Sequence, residues 1–254
     1  MIDSHCHLTS PQLLGRIDEV LARARAAGIE TLITIGTDVD DARRAIAVCE
    51  GRPAVRCAVG LAAGSSDADL DGQMAALRAL AGAPAVCALG EMGLEYHHRH
   101  VPPPTVQKTV LARQLELARQ MRLPAVLHCR QAVDDMLAML RDFPEVPAVF
   151  HCFTGTMDEA RRILDAGYMV SLAGVVTFKN AAELRRVARY VPSDRLLLET
   201  DAPYLTPEPL RGRQKVNEPA LLAHTAAAVA QARGIGPAEL DAVTTTNARR
   251  FFGL

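Results

Sequence analysis

The sequence has no tryptophan, and its aromatic residues make up only 4% of 254 positions. Side chains on which unpaired bases could stack are therefore too few for an extended stacking surface. The net charge of −1 excludes a strongly basic nucleic-acid coat, although a local basic patch is still compatible with it. No apolar run approaches the roughly 20 residues that cross a bilayer, so we expect no membrane-spanning segment.

Cysteine is also sparse, with six residues and no Cys-x-x-Cys pair. Six cysteines are too few for a disulfide scaffold in a chain of this length. Because Cys57, Cys87, Cys129 and Cys152 stand in apolar runs, we expect buried, reduced thiols and a cytoplasmic protein. No signal peptide is expected before Ile2, since the first apolar strand begins there.

Nucleotide-binding glycine loops are absent, because neither Gly-x-Gly-x-x-Gly nor Gly-x-x-x-x-Gly-Lys-Ser/Thr occurs. Apolar runs instead alternate with segments of helical spacing, which is typical of a parallel sheet. Eight such units in 254 residues give about 32 residues per unit, the size of one strand and one helix. The predicted strands lie at residues 2–7, 31–36, 55–61, 85–90, 124–128, 147–152, 168–173 and 196–201.

This rhythm predicts one α/β domain over residues 1–254, a (β/α)8 TIM barrel, with a distorted barrel as a minor variant. An open doubly wound sheet is the alternative, weakened by the missing glycine loops. The first helical segment illustrates the spacing between strands, since its apolar residues fit one helical face. They are Leu13, Leu14, Ile17, Val20, Leu21 and Ala24.

The first predicted strand ends in His-x-His, at His5 and His7. Residues two apart on a strand share a face, so the two imidazoles project together and form half of a metal site. For an isolated pair, surface or buried histidines would explain the pattern equally well. What favours a metal site is that other apolar runs of this chain also end in residues that bind metals.

In a TIM barrel, catalytic residues come from the carboxyl ends of several strands. Each such residue alone has a structural explanation, as a buried histidine, a helix cap or a turn former. Six at corresponding positions instead predict a metal site, and six mixed ligands suit two divalent ions about 3.5–4 Å apart with one bridging carboxylate. Nitrogen ligands admit zinc and manganese, and carboxylates admit magnesium. The six residues are His5, His7, Glu91, His128, His151 and Asp201.

The alternation of strand faces also sorts the neighbours of these ligands. Arg130 shares a face with His128 if that strand extends far enough, and its guanidinium would suit a phosphate. Glu199 shares a face with Asp201, where it would be an extra ligand, a proton relay or an orienting partner of an imidazole. Cysteines that alternate with ligands face away and are predicted to pack: Cys6, Cys129 and Cys152.

Basic residues collect in the segments that follow the strands. Charged loops are usually only solvated, and this explains most of the set. We single out Lys179, Arg211 and Arg213 as candidate phosphate contacts. The full set is His97, His98, Arg99, His100, Lys179, Arg211, Arg213 and Lys215.

Longer motifs surround the predicted ligands, at residues 2–7 (IDSHCH), 90–96 (GEMGLEY), 123–130 (LPAVLHCR), 150–155 (FHCFTG), 176–180 (VTFKN), 199–204 (ETDAPY), 217–219 (NEP) and 245–247 (TTN). Together they make the chain resemble, over essentially its whole length, the TatD-type metal-dependent hydrolases, a branch of the amidohydrolase-like TIM barrels. No single motif would suffice for this resemblance.

The resemblance implies a two-metal site that hydrolyses DNA phosphodiesters, often as a 3′→5′ exonuclease, with magnesium or manganese. By position, one ion would be held by His5, His7 and Asp201. The other would be held by His128 and His151, with Glu91 bridging the two ions. Asp201 would also act as the general base for the attacking water.

The chain departs from the family pattern in three places. Gly60 is followed by residues 61–64 (LAAG), where the family usually has Gly-x-His-Pro-His, so an imidazole near the metals or phosphate is missing. The missing imidazole counts against the family's usual positioning of the substrate and against a third ion. The usual Gly-Leu-Asp-Tyr carries the longer acid Glu95. The loop at residues 211–219 is longer and more basic than usual.

Three hypotheses follow from these residues. The first is a monomeric, cytoplasmic, divalent-metal phosphodiesterase that acts on single-stranded DNA or on a strand end. The second is a metal-dependent ester, lactone or amide hydrolase on the same scaffold, such as an aminoacyl-tRNA deacylase, because barrels host many chemistries. Related lactonases bridge their metals with a modified lysine where this chain has Glu91, and this difference counts against a lactonase. The third, a non-enzymatic scaffold, is opposed by the complete ligand set.

Overall fold

The computed structural model describes all 254 residues. Its eight strands form one parallel sheet in chain order, a nearly closed barrel with helices between the strands, and this confirms the predicted (β/α)8 fold. The first and last strands are joined by a parallel bridge between Cys6 and Ala202. The strands are β1 (Ile2–Cys6), β2 (Thr31–Gly36), β3 (Val55–Val59), β4 (Val86–Glu95), β5 (Ala125–Arg130), β6 (Ala148–Phe150), β7 (Met169–Leu172) and β8 (Leu196–Leu198).

Helices follow the strands, and two of them begin with side-chain caps. The Asp38 carboxylate accepts the N–H of Asp41, and Thr156 with Glu159 forms a capping box. None of the helices combines the length and the apolar character needed to cross a membrane. The helices are α1 (Pro11–Leu14), α2 (Ile17–Ala26), α3 (Val39–Cys49), α4 (Leu70–Ala81), α5 (Pro104–Met121), α6 (Val133–Leu140), α7 (Met157–Asp165), α8 (Ala182–Tyr190), α9 (Leu222–Arg233) and α10 (Pro237–Phe252), with short 3₁₀ turns at Gly174–Thr177, Ser193–Arg195 and Pro219–Leu221.

The backbone contacts divide the chain into two compact units. The first unit contains Met1–Thr34 and Cys152–Leu254, and the second contains Ile35–His151. Each unit has its own buried apolar residues, for example Leu13 and Leu197 in the first and Leu111 in the second. A single domain over residues 1–254 therefore stays a prediction.

The strand bounds differ from the predicted ones mainly at β4. The strand continues to Glu95, five residues beyond the predicted end, because Gly93 pairs with His128 and Glu95 pairs with Arg130. A side chain at Gly93 would overlap the carbonyl oxygen of His128, so this close pairing requires glycine. Conversely, β6 and β8 end at Phe150 and Leu198, before their predicted ends.

The first helical segment is also divided. One continuous helical face was predicted from Leu13 to Ala24, but α1 ends at Gly15, and the backbone leaves the helical conformation at Arg16 before α2 begins. Glycine costs helix stability because its backbone loses more freedom there than that of other residues. Of the residues predicted to share this face, Leu13 is buried, whereas Leu14 is 38% exposed.

Two buried glutamines of α5 bind backbone groups near the ends of strands in the second unit. The Gln107 amide accepts the N–H of Glu95 at 2.7 Å and donates to its carbonyl at 3.0 Å. Gln114 pairs in the same way with Leu61, at 2.7 and 2.9 Å. Because the two glutamines are seven residues apart, they lie on one face of the helix. Gln114 thereby fixes the segment that follows β3, residues 61–64, where the family usually has histidine.

Replacing Gln114 with alanine is expected to lower the free energy of unfolding by about 1–3 kcal/mol, since the buried N–H and carbonyl of Leu61 would both lose their partner. Urea unfolding measures this change. The exposed Gln120 of the same helix provides the control, because Gln120→Ala leaves no buried group unpaired. Equal stabilities of the two variants would contradict the prediction.

Candidate metal centre

The first unit brings together His5, His7 and Asp201, as predicted for one ion. The Nε2 atoms of the two histidines lie 3.3 Å apart. The Asp201 Oδ1 atom lies 3.7 Å from Nε2 of His5 and 3.3 Å from Nε2 of His7. His5 is fully buried, and the His7 and Asp201 side chains are 12% and 13% exposed. Three donor atoms thus converge on one point, which is the arrangement a divalent cation requires.

Asp201 is held in this position by its backbone. Its φ of +53° lies in the left-handed region, and its N–H donates to the carbonyl of His5 at 2.9 Å. The buried Asn217 amide donates to the carbonyls of Thr200 at 2.9 Å and Tyr204 at 2.6 Å. Asn217 therefore holds the turn that carries Asp201 through two hydrogen bonds, one to a residue before Asp201 and one to a residue after it.

Asp3 lies fully buried beside the same turn. Its carboxyl group accepts the hydroxyl of Thr200 at 2.6 Å, the N–H of Thr200 at 2.9 Å and the N–H of His5 at 3.3 Å. Burial raises the pKa of Asp3 to about 7, although these hydrogen bonds oppose the rise. Asp3 thereby links the His5 backbone to the strand end that leads to Asp201.

Asn217→Ala is expected to weaken divalent-metal binding by about 10–100-fold, because a ligand whose supporting hydrogen bonds are lost is no longer held in place. Calorimetric titration with Mn²⁺ measures the affinity. Asn247→Ala is the matched control, since the amide of Asn247 also donates to two backbone carbonyls, at Ser193 and Leu196, which belong to no cluster. If the Asn217 variant folds and binds Mn²⁺ with unchanged affinity, the hydrogen bonds of Asn217 do not support Asp201 as a metal ligand.

The second unit brings together Glu91, His128 and His151, the remaining predicted ligands. The Glu91 Oε1 atom lies 2.9 Å from Nδ1 of His128 and 3.2 Å from Nε2 of His151. Glu91 and His151 are buried, and the His128 side chain is 28% exposed. Two imidazoles and one carboxylate again offer three donor atoms to a cation.

Glycine also determines how Glu91 reaches this cluster. Gly90 has a φ of +139°, and a Cβ atom there would lie 2.5 Å from the carbonyl oxygen of Val126 in β5. The two strands can approach each other here only because Gly90 has no side chain. Glu91 therefore lies inside β4 rather than at its carboxyl end, which corrects the predicted position at the end of a strand.

Glu95 lies beside the second cluster, in contact with His128. The sequence indicated it only as a departure from the family pattern. Its Oε2 atom lies 3.1 Å from Nε2 of His128 and 3.0 Å from Nδ1 of His98. Burial opposes ionisation of Glu95, but the hydrogen bonds from His98, His128 and the backbone of His97 lower its pKa to about 2. The signal was available, because in an extended β4 Glu95 shares a face with Glu91.

His128 therefore lies between two carboxylates, one on each ring nitrogen. Burial lowers the pKa of His128, but the hydrogen bond and charge of Glu91 outweigh it, and the net pKa is raised. A proton competes with a metal ion for an imidazole nitrogen, so metal binding at this cluster weakens as the pH falls.

The other predicted residues are placed as follows. Arg130 is the last residue of β5, so the strand does extend far enough for Arg130 and His128 to share a face. Glu199 is fully buried, and its Oε1 atom accepts the N–H of Cys152 at 2.7 Å. The guanidinium of Arg211 packs 3.8 Å above the ring of Phe178, beside Lys179.

Arg213 is exposed on its loop, and Lys179 is exposed after the 3₁₀ turn. The Cys6 thiol is buried and points to the carbonyl of Ile33 at 3.5 Å, in agreement with a packing role. Cys129 and Cys152 are half-buried, which corrects their predicted burial, because each belongs to a strand end beside a ligand.

Both clusters pass a simple chemical test for a divalent ion. Each contains two imidazoles and one carboxylate, and within each cluster the ligand atoms lie within 4.8 Å of one another. Such donors match the ligands that zinc, manganese and magnesium take in proteins. A parallel barrel with ligand clusters of this kind is typical of the metal-dependent hydrolases of the amidohydrolase-like TIM-barrel type.

Comparisons with known proteins make the assignment specific. The family model described as TatD related DNase matches residues 2–253, and the chain belongs to this family. A 3′-5′ ssDNA/RNA exonuclease TatD of Cronobacter sakazakii is 40% identical over 99% of this chain and 97% of its own length. A metal-dependent hydrolase, YabD of Bacillus subtilis, is 34% identical over 99% of this chain and 98% of its own length.

A solved structure agrees with the sequence comparison. The crystal structure of YJJV, a TatD homologue from Escherichia coli K12, superposes with a TM-score of 0.90 at 30% identity. The match covers 100% of this chain and 98% of that one. The barrel and its order of elements are therefore those of a solved TatD homologue.

Proposed function

We propose that this protein is a divalent-metal-dependent nuclease that hydrolyses phosphodiester bonds of single-stranded DNA from the 3′ end. The observation that carries the proposal is the pair of complete ligand clusters, each with two imidazoles and a carboxylate, in a member of the TatD family. The exonuclease name of a relative with 40% identity supports the polarity and the substrate.

The two clusters would hold one ion each. His5, His7 and Asp201 supply three ligands for the first ion, and Glu91, His128 and His151 supply three for the second, a number typical of catalytic sites with open positions. Both sets belong to strands of one parallel sheet, or to the residues just after them. When bound, Mg²⁺ or Mn²⁺, with Zn²⁺ as an alternative, would activate a water and neutralise charge on the phosphodiester.

The protein's own groups would do the rest of the chemistry. Asp201 would accept the proton of the attacking water as general base, in addition to binding a metal. Arg130, on the same face of β5 as His128, would bind a phosphate oxygen through its guanidinium. Glu199 would fix the backbone at Cys152 through its hydrogen bond there. Lys179, Arg211 and Arg213 would contact phosphates nearby.

We also propose an oligomeric state, a cellular compartment and a number of metal ions. Each ligand cluster is completed by one chain, which supports action as a monomer. None of the six cysteines forms a disulfide, which supports a reducing compartment such as the cytoplasm. The segment after Gly60 contributes no imidazole, so we propose that two ions rather than three take part.

The test uses one oligonucleotide labelled in turn at each end. Metal-stripped protein is assayed with Mg²⁺, Mn²⁺ or Zn²⁺, and with a chelator as control. A strand labelled at its 5′ end should give a ladder of shortening products, whereas a 3′ label should be released at once as a mononucleotide. An intact oligonucleotide under all three metals, with metal bound, would mean that the site is real but DNA is not its substrate.

A second candidate function is favoured by one observation. The segment 61–64 replaces the imidazoles that the family usually has, which favours a scissile bond that is a carboxylic ester or amide rather than a phosphodiester, such as the ester of an aminoacyl-tRNA. Arg130→Ala separates the two functions. The DNase should lose about 10–100-fold in kcat/KM because a charge-assisted contact to phosphate is lost. Hydrolysis of a neutral ester should scarcely change, and an unchanged rate on DNA would favour this second candidate.

A further inference from the structure

A cationic groove runs between α8 and α9 in the first unit, and Lys179 is the only residue of its lining to which the proposed chemistry gives a role. Its volume is about 920 Å³. Small residues contribute to its lining, among them Ala227 and Ala228 of α9. The only acidic side chain in its lining is Glu208, against five basic ones: Lys179, Arg185, Arg186, Arg189 and His224.

Two of these arginines are held in place without being neutralised. Nη1 of Arg185 donates to the carbonyls of Val176 at 3.1 Å and Phe178 at 2.8 Å. Nε of Arg189 donates to the carbonyl of Ala232 at 2.9 Å. A carbonyl positions a guanidinium but leaves its charge uncompensated, and each guanidinium has further N–H donors. Arg186 alone among the three pairs with an acid, Glu183 on its own helix.

Lys179 places one end of the groove at the carboxyl edge of the sheet, the edge that also carries the metal ligands. Lys179 lies in the segment after β7, at the edge of the sheet where Asp201 follows β8. From there α8 runs back along the outside of the barrel, as a helix after a parallel strand does. Arg185 and Arg189 are four residues apart, about 6 Å along the helix axis. Positive charges therefore follow one another away from the metal ligands.

We propose that this α8–α9 groove binds the substrate strand several nucleotides away from the bond that is cleaved. The inference rests on the proposed function and deepens it, because it assigns a second contact for the phosphate backbone of a single strand. Anchored, uncompensated cations suit a polyanion that lies along the groove. Affinity then depends on strand length, since only a long strand reaches both the metal centre and the groove.

The test removes charge while it keeps hydrogen-bond donors. In the double variant Arg185→Gln/Arg189→Gln, which removes the two uncompensated charges, the new amides can still donate to the carbonyls of Phe178 and Ala232. The control is Arg43→Gln/Arg119→Gln, which removes two exposed arginines outside the groove, on α3 and α5. Both double variants change the net charge by the same amount.

Binding is measured by fluorescence anisotropy in a chelator, so that no cleavage occurs. For a labelled strand of about 20 nucleotides, the groove variant should bind about tenfold more weakly than the control. Its plot of log affinity against log salt should be less steep by about 1.4, the value expected for two lost phosphate contacts on a single strand. Metal-dependent hydrolysis of bis(p-nitrophenyl) phosphate, which is too small to reach the groove, should be unchanged.

The outcomes separate this inference from the proposed function. Equal affinity and equal salt dependence in the two double variants would overturn the groove proposal, as would the absence of binding by the unmodified protein. Groove-dependent binding without any hydrolysis of DNA would uphold the groove and overturn the nuclease. Displacement of the strand by polyglutamate at comparable concentration would identify an acidic-peptide site and overturn the assignment to nucleic acid.

Discussion

Glutamine in place of Glu91 is expected to reduce metal-dependent hydrolysis of an oligonucleotide by roughly three orders of magnitude. Glu91 is the only carboxylate of its cluster, and its Oε1 atom lies within 3.2 Å of nitrogen atoms of both His128 and His151. Glutamine keeps the shape and an oxygen at this position but removes the negative charge that would offset a divalent cation. Loss of several kcal/mol of charge stabilisation in the transition state corresponds to about this change in rate.

The measurement is kcat/KM on the labelled strand, together with the metal content of the purified variant and its thermal unfolding. Glu95→Gln provides an informative comparison, because Glu95 contacts the other nitrogen of His128 and supports the ligand from outside the cluster. Its effect should be smaller, about 10–100-fold in metal affinity. Glu116→Gln, on the exposed face of α5, should change neither quantity. A folded Glu91 variant with ordinary activity would show that Glu91 is not part of the metal centre.

The strands could be predicted because buried parallel strands are continuous apolar runs. The run at 31–36 matches β2 residue for residue, and the ligands His128 and His151 could be found because they come at or after the ends of such runs. Glu91 was placed wrongly in one respect. Gly90 and Gly93 resemble the start of a loop, but in the barrel they allow β4 to continue beside β5.

Features that depend on tertiary contacts could not be predicted. Helical spacing does not reveal that Gln114 pairs with the backbone of Leu61, or that Asn217 fixes the turn that carries Asp201, because each partner is distant in sequence. The arginines of α8 resemble an ordinary solvated face in the sequence. Only the packing of α9 beside that helix shows that they line a groove.

Asparagine in place of Asp201 is expected to lower the rate by roughly three orders of magnitude even at saturating metal. Asparagine suits this test because it tolerates the left-handed φ of +53° better than other residues with side chains. Alanine would add backbone strain of about 1–2 kcal/mol, and its effect would combine two causes. Asparagine keeps one oxygen near His5 and His7 but loses both the charge and the ability to accept a proton.

A metal titration of this variant separates the two roles of the carboxylate. If Asp201 only bound an ion, excess Mn²⁺ would restore the unmodified maximal rate, and only the metal concentration at half-maximal rate would rise. If Asp201 is also the general base, that concentration rises and the maximal rate stays low. The residual rate should then increase with pH, because hydroxide from solution replaces the missing base. Full recovery at high metal would limit Asp201 to metal binding, and the attacking water would need another proton acceptor.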